Sequence, residues 1–530
     1  MNLLGIVSRG KYFILKSYWA FGYTLLLVPL SMAVSYIGFE TLARLSYELR
    51  GPENYDASMY WAVGRGIVNG LVPYKDLFET KPPGIFLLSG LSLYLFNGRI
   101  LGSIGQMISL GMIAVIPLLA INPFASKKIN VEVMFRSLTA LLFGCLMLLY
   151  VAQRSGEYQV ESFAVAWAML YILLIGKTKK TFTWAKILLA SLCFLFSVGF
   201  KEPLFLTMLA AAIVLSSSWK SFLGTFVLPA IIAAGIGLLV LWIVGYLSPF
   251  QSIYLTEMLD RHIASDGFFL LKAFQPQKIV AIVTDWNAFN SFFALSALFL
   301  LFLTLIHPLV IPRPRECWLF PLRLSLALIL SVGAIYLGGK WFYPHHYVVI
   351  VPLLFALFLL LVRNWNGNAP STYVHFSWLS IALLSLLAAT EVPHTNYQKA
   401  LEKNREWTKP GKTMAAAVDT LLTDCKTERY LYIGLHGPKL FGYTTHSPIG
   451  PLFYQFTYYL SGERSFFRSA FRQSLKRANL IVLSKEKREL NDLDDEVMAY
   501  IKTNFTTKPW PCAAAITMPE SSLYQVFYRR

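Results

Sequence analysis

The run YDASMYWAVGRGIVNGLVPYKDLFETKPPG, residues 55–84, carries Asp56, Arg65, Lys75, Asp76, Glu79 and Lys81 in a chain otherwise poor in charge. It follows directly after the first apolar segment. Ionisable groups at a membrane surface are costly to desolvate, so a cluster of both signs there marks a site. Acid beside base suits a reaction that handles a proton and a phosphate: a carboxylate can take a proton from a hydroxyl while ammonium groups neutralise phosphate charge.

The elements that must position these residues are hydrophobic. Charged residues make up 14% of the chain and hydrophobic ones 56%, where a soluble domain carries about 25% charged residues. Repeated apolar runs are long enough to cross about 30 Å of hydrocarbon. The composition therefore describes a polytopic α-helical membrane protein. The net charge of +18 reflects short basic loops, as the positive-inside rule expects, and implies no nucleic-acid partner.

Arg9, Lys11 and Lys16 precede the first span and predict a cytoplasmic N-terminus. Basic loops at Lys127/Lys128, Lys177/Lys179/Lys180/Lys186, Lys220, Arg313/Arg315 and Arg363 fall on the same side. Eleven spans satisfy this parity: 18–39, 101–121, 132–151, 161–176, 186–200, 203–218, 223–246, 291–310, 318–337, 347–362 and 376–391. The loops 40–100, 152–160, 200–203, 246–290 and 338–346 then lie outside, with everything after residue 392. Residues 84–98 are apolar but short, and are read as a helix that does not cross. No small-residue cleavage site follows the first span, so no signal peptide is expected. The outer loop 246–290 holds Tyr254, Glu257, Asp260, Arg261, His262, Asp266 and Asp285, which suits either a lid or a plain interfacial helix.

Residues 1–391 thus form the membrane body, and 392–530 a small extracytoplasmic α/β domain. Helices are expected at 411–424, 464–477 and 490–504, and strands at 428–435, 478–484, 513–518 and 523–530. Cys145, Cys193 and Cys317 lie in or beside spans, where buried thiols are ordinary packing residues. Cys425 and Cys512 both fall in the outer domain and could pair in an oxidising compartment, although sequence does not set their distance. No Walker loop, dinucleotide fingerprint, paired CxxC or nucleophile elbow is present, which argues against nucleotide-driven transport.

The acid and tyrosines of 55–60, the GIVNGLVPYKD stretch and the K-P-P-G that leads into an apolar run resemble the polyprenyl-phosphate-sugar-dependent membrane glycosyltransferases of the GT-C superfamily. Within it the chain looks like the bacterial branch of the protein O-mannosyltransferase family, which includes the lipid A aminoarabinose transferase (the family 39/83 type). The resemblance covers roughly residues 10–365. It implies that Asp56 activates the acceptor and that Lys81 lies near the donor phosphate. Relatives often carry an Asp-Glu pair where this chain has Asp56-Ala57, so the enzyme is expected to tolerate a divalent cation rather than depend on one, and no metal ligand is assigned. SGEYQVES supplies Glu157 and Glu161 as the second-loop acids, and FKEP supplies Lys201. GGKWFYPHHYVVIVP, residues 338–352, supplies Lys340, His345, His346 and Tyr347.

The roles follow from what a lipid-linked sugar phosphate requires. Asp56 is the base; Lys81, Lys201 and Lys340, with Arg65, meet the phosphate as point charges. Glu161, Glu157, Tyr74, His345, His346 and Tyr347 are the substrate contacts. Plainer readings compete: Asp56 paired with Arg65 or capping a helix, Lys201 held by Glu202, Glu161 capping a span. His345 and His346, adjacent in sequence, point about 100° apart on a helix and do not readily share one ion. The expected function is transfer of one sugar, inverting as the resemblance implies, from a polyprenyl-phosphate donor to a glycolipid, polysaccharide or protein of the envelope, with the active site on the periplasmic side of the inner (plasma) membrane. The rivals are a flippase for a lipid-linked sugar, which would need mid-span charge, and an envelope polysaccharide ligase or polymerase.

Overall fold

The computed structural model describes residues 3–122, 130–176, 183–216, 218–256, 301–302, 319–338, 344–365, 371–433, 440, 442–450, 465–484, 495–514, 516 and 524–530. Seven of its helices are long and apolar enough to cross a membrane, and the chain is a multi-pass membrane protein. The first, α1 (Leu3–Leu49), has an apolar stretch from Tyr18. Two short helices follow that do not meet the crossing length, α2 (Tyr55–Val68) and α3 (Pro83–Phe96). At 14 residues, α3 is about 21 Å long, in keeping with a segment too short to cross alone.

The bundle continues through α4 (Ile100–Ile121), α5 (Val131–Ser155), α6 (Val160–Gly176), α7 (Trp184–Phe200) and α8 (Leu204–Leu215). It then runs through α9 (Trp219–Ile243), α10 (Leu319–Gly338), α11 (Val351–Trp365) and α12 (Ser371–Thr390). Three of the expected spans, α6, α7 and α8, have 17, 17 and 12 residues, short of a full crossing. The expected span 291–310 lies outside the described residues except for 301–302.

Burial orders the bundle. The segment His345–Val362 has 83% of its apolar window inside the protein, and Trp219–Ile243 has 22%. The former is therefore the central helix and α9 a peripheral one. Around the centre, α4 packs on α5, α5 on α1, and α6 on α4 and α7. Gly144 of α5 permits a close approach to α4: a Cβ there would sit 2.0 Å from the Ala114 carbonyl oxygen.

The C-terminal unit is α/β, as its alternating pattern predicts. A 28-residue helix, α13 (Tyr397–Asp424), opens it, N-capped by Asn396, whose side chain accepts from the Lys399 amide at 3.0 Å. Only its second half, 411–424, is expected to be helical; the helix starts at Tyr397 and runs through Pro410. The strands are β1 (Tyr430–Ile433), β2 (Leu480–Ser484), β3 (Phe505–Thr506) and β4 (Tyr524–Arg529), with α14 (Ser465–Arg477) before β2 and α15 (Asp495–Asn504) before β3. The sheet order is β1-β2-β4-β3, parallel between β1 and β2 and antiparallel elsewhere.

Of the expected strand 513–518, residues 515, 517 and 518 lie outside the described residues, and the described ones, 513, 514 and 516, are not in a strand. Pro511–Ala513 form a 3-10 turn instead, since alanine has little strand preference and Pro511 fixes its own backbone. The fourth strand is the short β3, directly after α15. Cys425 and Cys512 are disulfide-bonded, with Cα atoms 5.4 Å apart, tying the end of α13 to this turn. Cys145 and Cys193 are free and buried, and Cys317 lies outside the described residues.

The unit docks on the start of α2. Arg99, just before α4, pairs with buried Glu53 and donates to the Gly442 carbonyl. Its guanidinium lies 4.5 Å from the Tyr443 ring centroid and 5.3 Å from that of Trp61. Tyr443 donates its hydroxyl to Glu53 at 2.7 Å, and the Asn404 side chain donates to the Glu53 carbonyl at 2.7 Å. Gly442 makes a close contact there, since a Cβ would come within 3.1 Å of the Ser58 carbonyl oxygen on the first turn of α2.

Candidate active site

Asp56 stands in the first turn of α2 and is partly buried. It does not cap the helix: Asn54 does, accepting from the Ala57 amide at 2.8 Å. Nor is it ion-paired with Arg65 among the described residues. Its partner is Gln159, whose side-chain amide donates to Asp56 Oδ2 at 3.0 Å. Gln159 in turn accepts from the Tyr60 hydroxyl at 3.4 Å.

Gln159 is delivered by a tight connection between α5 and α6. Glu157 and Tyr158 both adopt left-handed backbone, with φ of 63° and 68°. Such residues persist only where their surroundings over-determine them. Here the Glu157 amide donates to Glu48 at 2.8 Å, and the Tyr47 hydroxyl donates to Glu157 Oε1 at 2.7 Å. The Tyr158 ring stacks on Trp61 at 4.5 Å, and its hydroxyl shares a 3.0 Å hydrogen bond with Ser89.

Lys81 is held by its own loop. Tyr74, fully buried and also left-handed at φ 68°, donates its hydroxyl to the Lys81 carbonyl at 2.9 Å. Asp76 accepts from the Val72 amide at 2.8 Å, and Glu79 from the Thr80 amide at 2.9 Å. Gly84 completes the placement: a Cβ there would lie 2.5 Å from the Gly199 carbonyl oxygen. The K-P-P-G turn therefore lies directly against the end of α7, which leads into Lys201 and Glu202.

Lys201 makes a 2.8 Å ion pair with Glu161 in the first turn of α6, and both side chains are almost wholly buried. The structure thus gives Lys201 a partner other than Glu202, which instead accepts from the Tyr254 hydroxyl. Tyr254 packs beside Tyr74, ring centroids 4.7 Å apart. His345 lies within electrostatic reach of Glu161, Lys201, Lys81 and Asp56, and its ring meets that of His346 edge-on at 4.2 Å. Residues from four separate connections therefore meet at one end of the bundle.

The electrostatics differ from residue to residue. Burial alone would lower the Lys81 ammonium, but Asp56, Glu161, Glu79 and Glu202 outweigh it and hold the group above its ordinary value. Lys81 is a permanent cation at neutral pH, and it forms no ion pair among the described residues. Burial pushes the Glu202 carboxyl up to about 7, against a backbone hydrogen bond and the charges of Lys201 and Lys81. The set offers an acid with one oxygen engaged by an amide, a cation without a bound anion, and a neutralised buried pair behind them.

Other candidates fall elsewhere. Arg65 feels burial, Arg99 and Asp419, all of which belong to the docking side of α2. Glu157 is turned to Tyr47 and Glu48. Tyr74 supports the Lys81 backbone from a buried position. His346 is buried, while Tyr347 sits partly buried in the 3-10 segment Pro344–Ile350. Lys340, Glu257, Asp260, Arg261, His262, Asp266 and Asp285 lie outside the described residues. Glu79 of the charged run 55–84 joins the cluster, and with it Gln159, Tyr60 and Glu202, whose sequence signal is proximity alone, Gln159 standing two residues before Glu161. Among the described residues no three His, Cys, Asp or Glu side chains converge to hold a metal ion.

No protein-family model matches the chain, and no curated protein matches it. Among solved structures it is similar to the oligosaccharyltransferase of Archaeoglobus fulgidus tethered to an acceptor peptide, at 10% identity over 86% of this chain and 69% of that one, with a TM-score of 0.40. It is also similar to the oligosaccharyltransferase AglB of the same organism, bound to an inhibitory peptide and a dolichol-phosphate. There identity is 12% over 90% of this chain and 73% of that one, with a TM-score of 0.38.

Proposed function

We propose that the protein is an inverting membrane glycosyltransferase of the GT-C type. It moves one sugar from a polyprenyl-phosphate donor to an acceptor of the cell envelope, a glycolipid, polysaccharide or protein, on the outer face of the membrane. Asp56 takes the proton from the acceptor hydroxyl as the acceptor oxygen bonds to the anomeric carbon. The bond from that carbon to the lipid phosphate breaks, and its electron pair leaves on the phosphate. Lys81 neutralises the departing charge. Lys201 is neutralised by Glu161 and acts by holding the floor of the site, with His345 beside it.

The observation that carries this reading is a partly buried carboxylate that accepts from an amide, beside a lysine that makes no ion pair among the described residues, at the end of an apolar bundle. Lys81 is kept charged by the summed field of Asp56, Glu161, Glu79 and Glu202 rather than by one contacting partner, which leaves its ammonium open to a phosphate. Undecaprenyl phosphate binding to purified protein tests it. Lys81→Ala is expected to weaken binding about tenfold or more, since a charge-assisted contact contributes about 1.5–3 kcal/mol. Unchanged binding would remove Lys81 from the phosphate site.

A further inference from the structure

We propose that Gln159 is the positioning residue for Asp56, an inference that rests on Asp56 being the base. An amide has one donating end and one accepting end. The Tyr60 hydroxyl meets Gln159 Oε1 and Asp56 meets Nε2, so the two contacts together fix which end faces the carboxylate. The donated hydrogen bond engages Oδ2 and leaves Oδ1, which accepts no hydrogen bond among the described residues, to receive the acceptor proton.

Gln159 is itself held from both sides. Ser162 donates its hydroxyl to the Gln159 carbonyl at 2.9 Å and lies 2.8 Å from Gln106 Oε1. On the other side the left-handed pair Glu157 and Tyr158 is pinned by Glu48, Tyr47, Trp61 and Ser89. Two residues further on, Glu161 grips Lys201. One turn of chain therefore sets Asp56 through Gln159 and the buried lysine through Glu161, so it fixes the spacing between the base and the cationic wall. Placing a reacting group within a narrow range of geometry is worth far more than the energy of one hydrogen bond.

The test compares Gln159→Leu, Gln159→Glu and Asp56→Asn in the full-length purified protein. Gln159→Glu keeps the size of the side chain but as a carboxylate has no N–H to donate. The first readout is transfer from radiolabelled mannosyl-undecaprenyl phosphate to a membrane-lipid extract. Both Gln159 variants are expected to lose about tenfold to a hundredfold in kcat with donor KM within about threefold. The second readout needs no turnover: the infrared carboxylate stretch of Asp56, assigned as the band lost in Asp56→Asn, should move in Gln159→Leu. If mannosyl-undecaprenyl phosphate is not a donor for the native protein, the infrared band decides alone, and an unmoved band overturns the inference. Native kcat in Gln159→Leu beside an inactive Asp56→Asn overturns this inference alone. Native turnover by Asp56→Asn overturns the base assignment and this inference with it.

Discussion

Two charged assemblies flank the N-terminal end of α2, and they are built on opposite plans. On the docking side, Glu53, Arg99 and Tyr443 match one another directly, with Arg99 also covered by the rings of Tyr443 and Trp61. On the site side, the buried pair Glu161–Lys201 is matched, but among the described residues Lys81 has no ion pair and Asp56 is hydrogen-bonded through its side chain only to the Gln159 amide. Charges that only hold a structure together are matched, because a buried uncompensated charge costs several kcal/mol. The second assembly keeps a cation and an acid available, and that difference is what the proposed function assigns to a site as against a joint.

The largest expected effect breaks that contrast at its centre. Asp56→Asn should lower turnover by about 10³-fold while thermal unfolding and donor binding stay near native, because general-base catalysis contributes about 10²–10⁴-fold. A parallel fall in unfolding temperature would turn Asp56 into a second structural charge. Next, Glu161→Gln should destabilise the protein by about 3–5 kcal/mol, as expected when one partner of a buried pair is removed. Denaturation in detergent measures this, and a loss below about 1 kcal/mol would class the pair with surface ion pairs.

Arg99→Ala acts on the other assembly. It should release the C-terminal unit to proteolysis near residues 392–396 and reduce turnover less than about tenfold, since each cation–π contact is worth about 0.5–2 kcal/mol. Abolished turnover with an intact protease pattern would mean that the joint is part of the site.

The smallest effect concerns pH. The Glu202 carboxyl stands near 7 in the fold, above the ordinary carboxylate value. Between roughly pH 4.5 and 7 the folded state therefore binds more protons than the unfolded one, and stability falls as pH rises through that window. Native protein should lose a few degrees of Tm across it, and Glu202→Gln should flatten the slope. An identical slope in the variant would show that Glu202 does not control it.

Much of the fold was readable because long apolar runs and an alternating C-terminal pattern write themselves directly into sequence. The site was readable only in part. Asp56, Lys81, Glu161, Lys201 and His345 were nominated from motif and loop position, and they come together. Glu161 and Lys201 were given separate tasks, yet burial forces them to neutralise each other. Tyr74 was assigned to substrate, whereas its hydroxyl supports the Lys81 backbone. Gln159 carries no charge to attract notice, and its bond to Asp56 joins positions 103 residues apart. Only helix packing brings them together. In the C-terminal unit, β3 is two residues long, too short to leave a period in the sequence.

The measurement that tests the central claim most directly is sugar transfer by the purified protein. It uses radiolabelled polyprenyl-phosphate monosaccharides and a membrane-lipid extract as acceptor, with Lys81→Ala as the control. The account predicts label moving from the lipid phosphate into a new lipid or polymer, and that movement lost in the variant. Label that crosses a vesicle bilayer still attached to its polyprenyl phosphate, with no new product from any donor, would contradict it and make the protein a flippase.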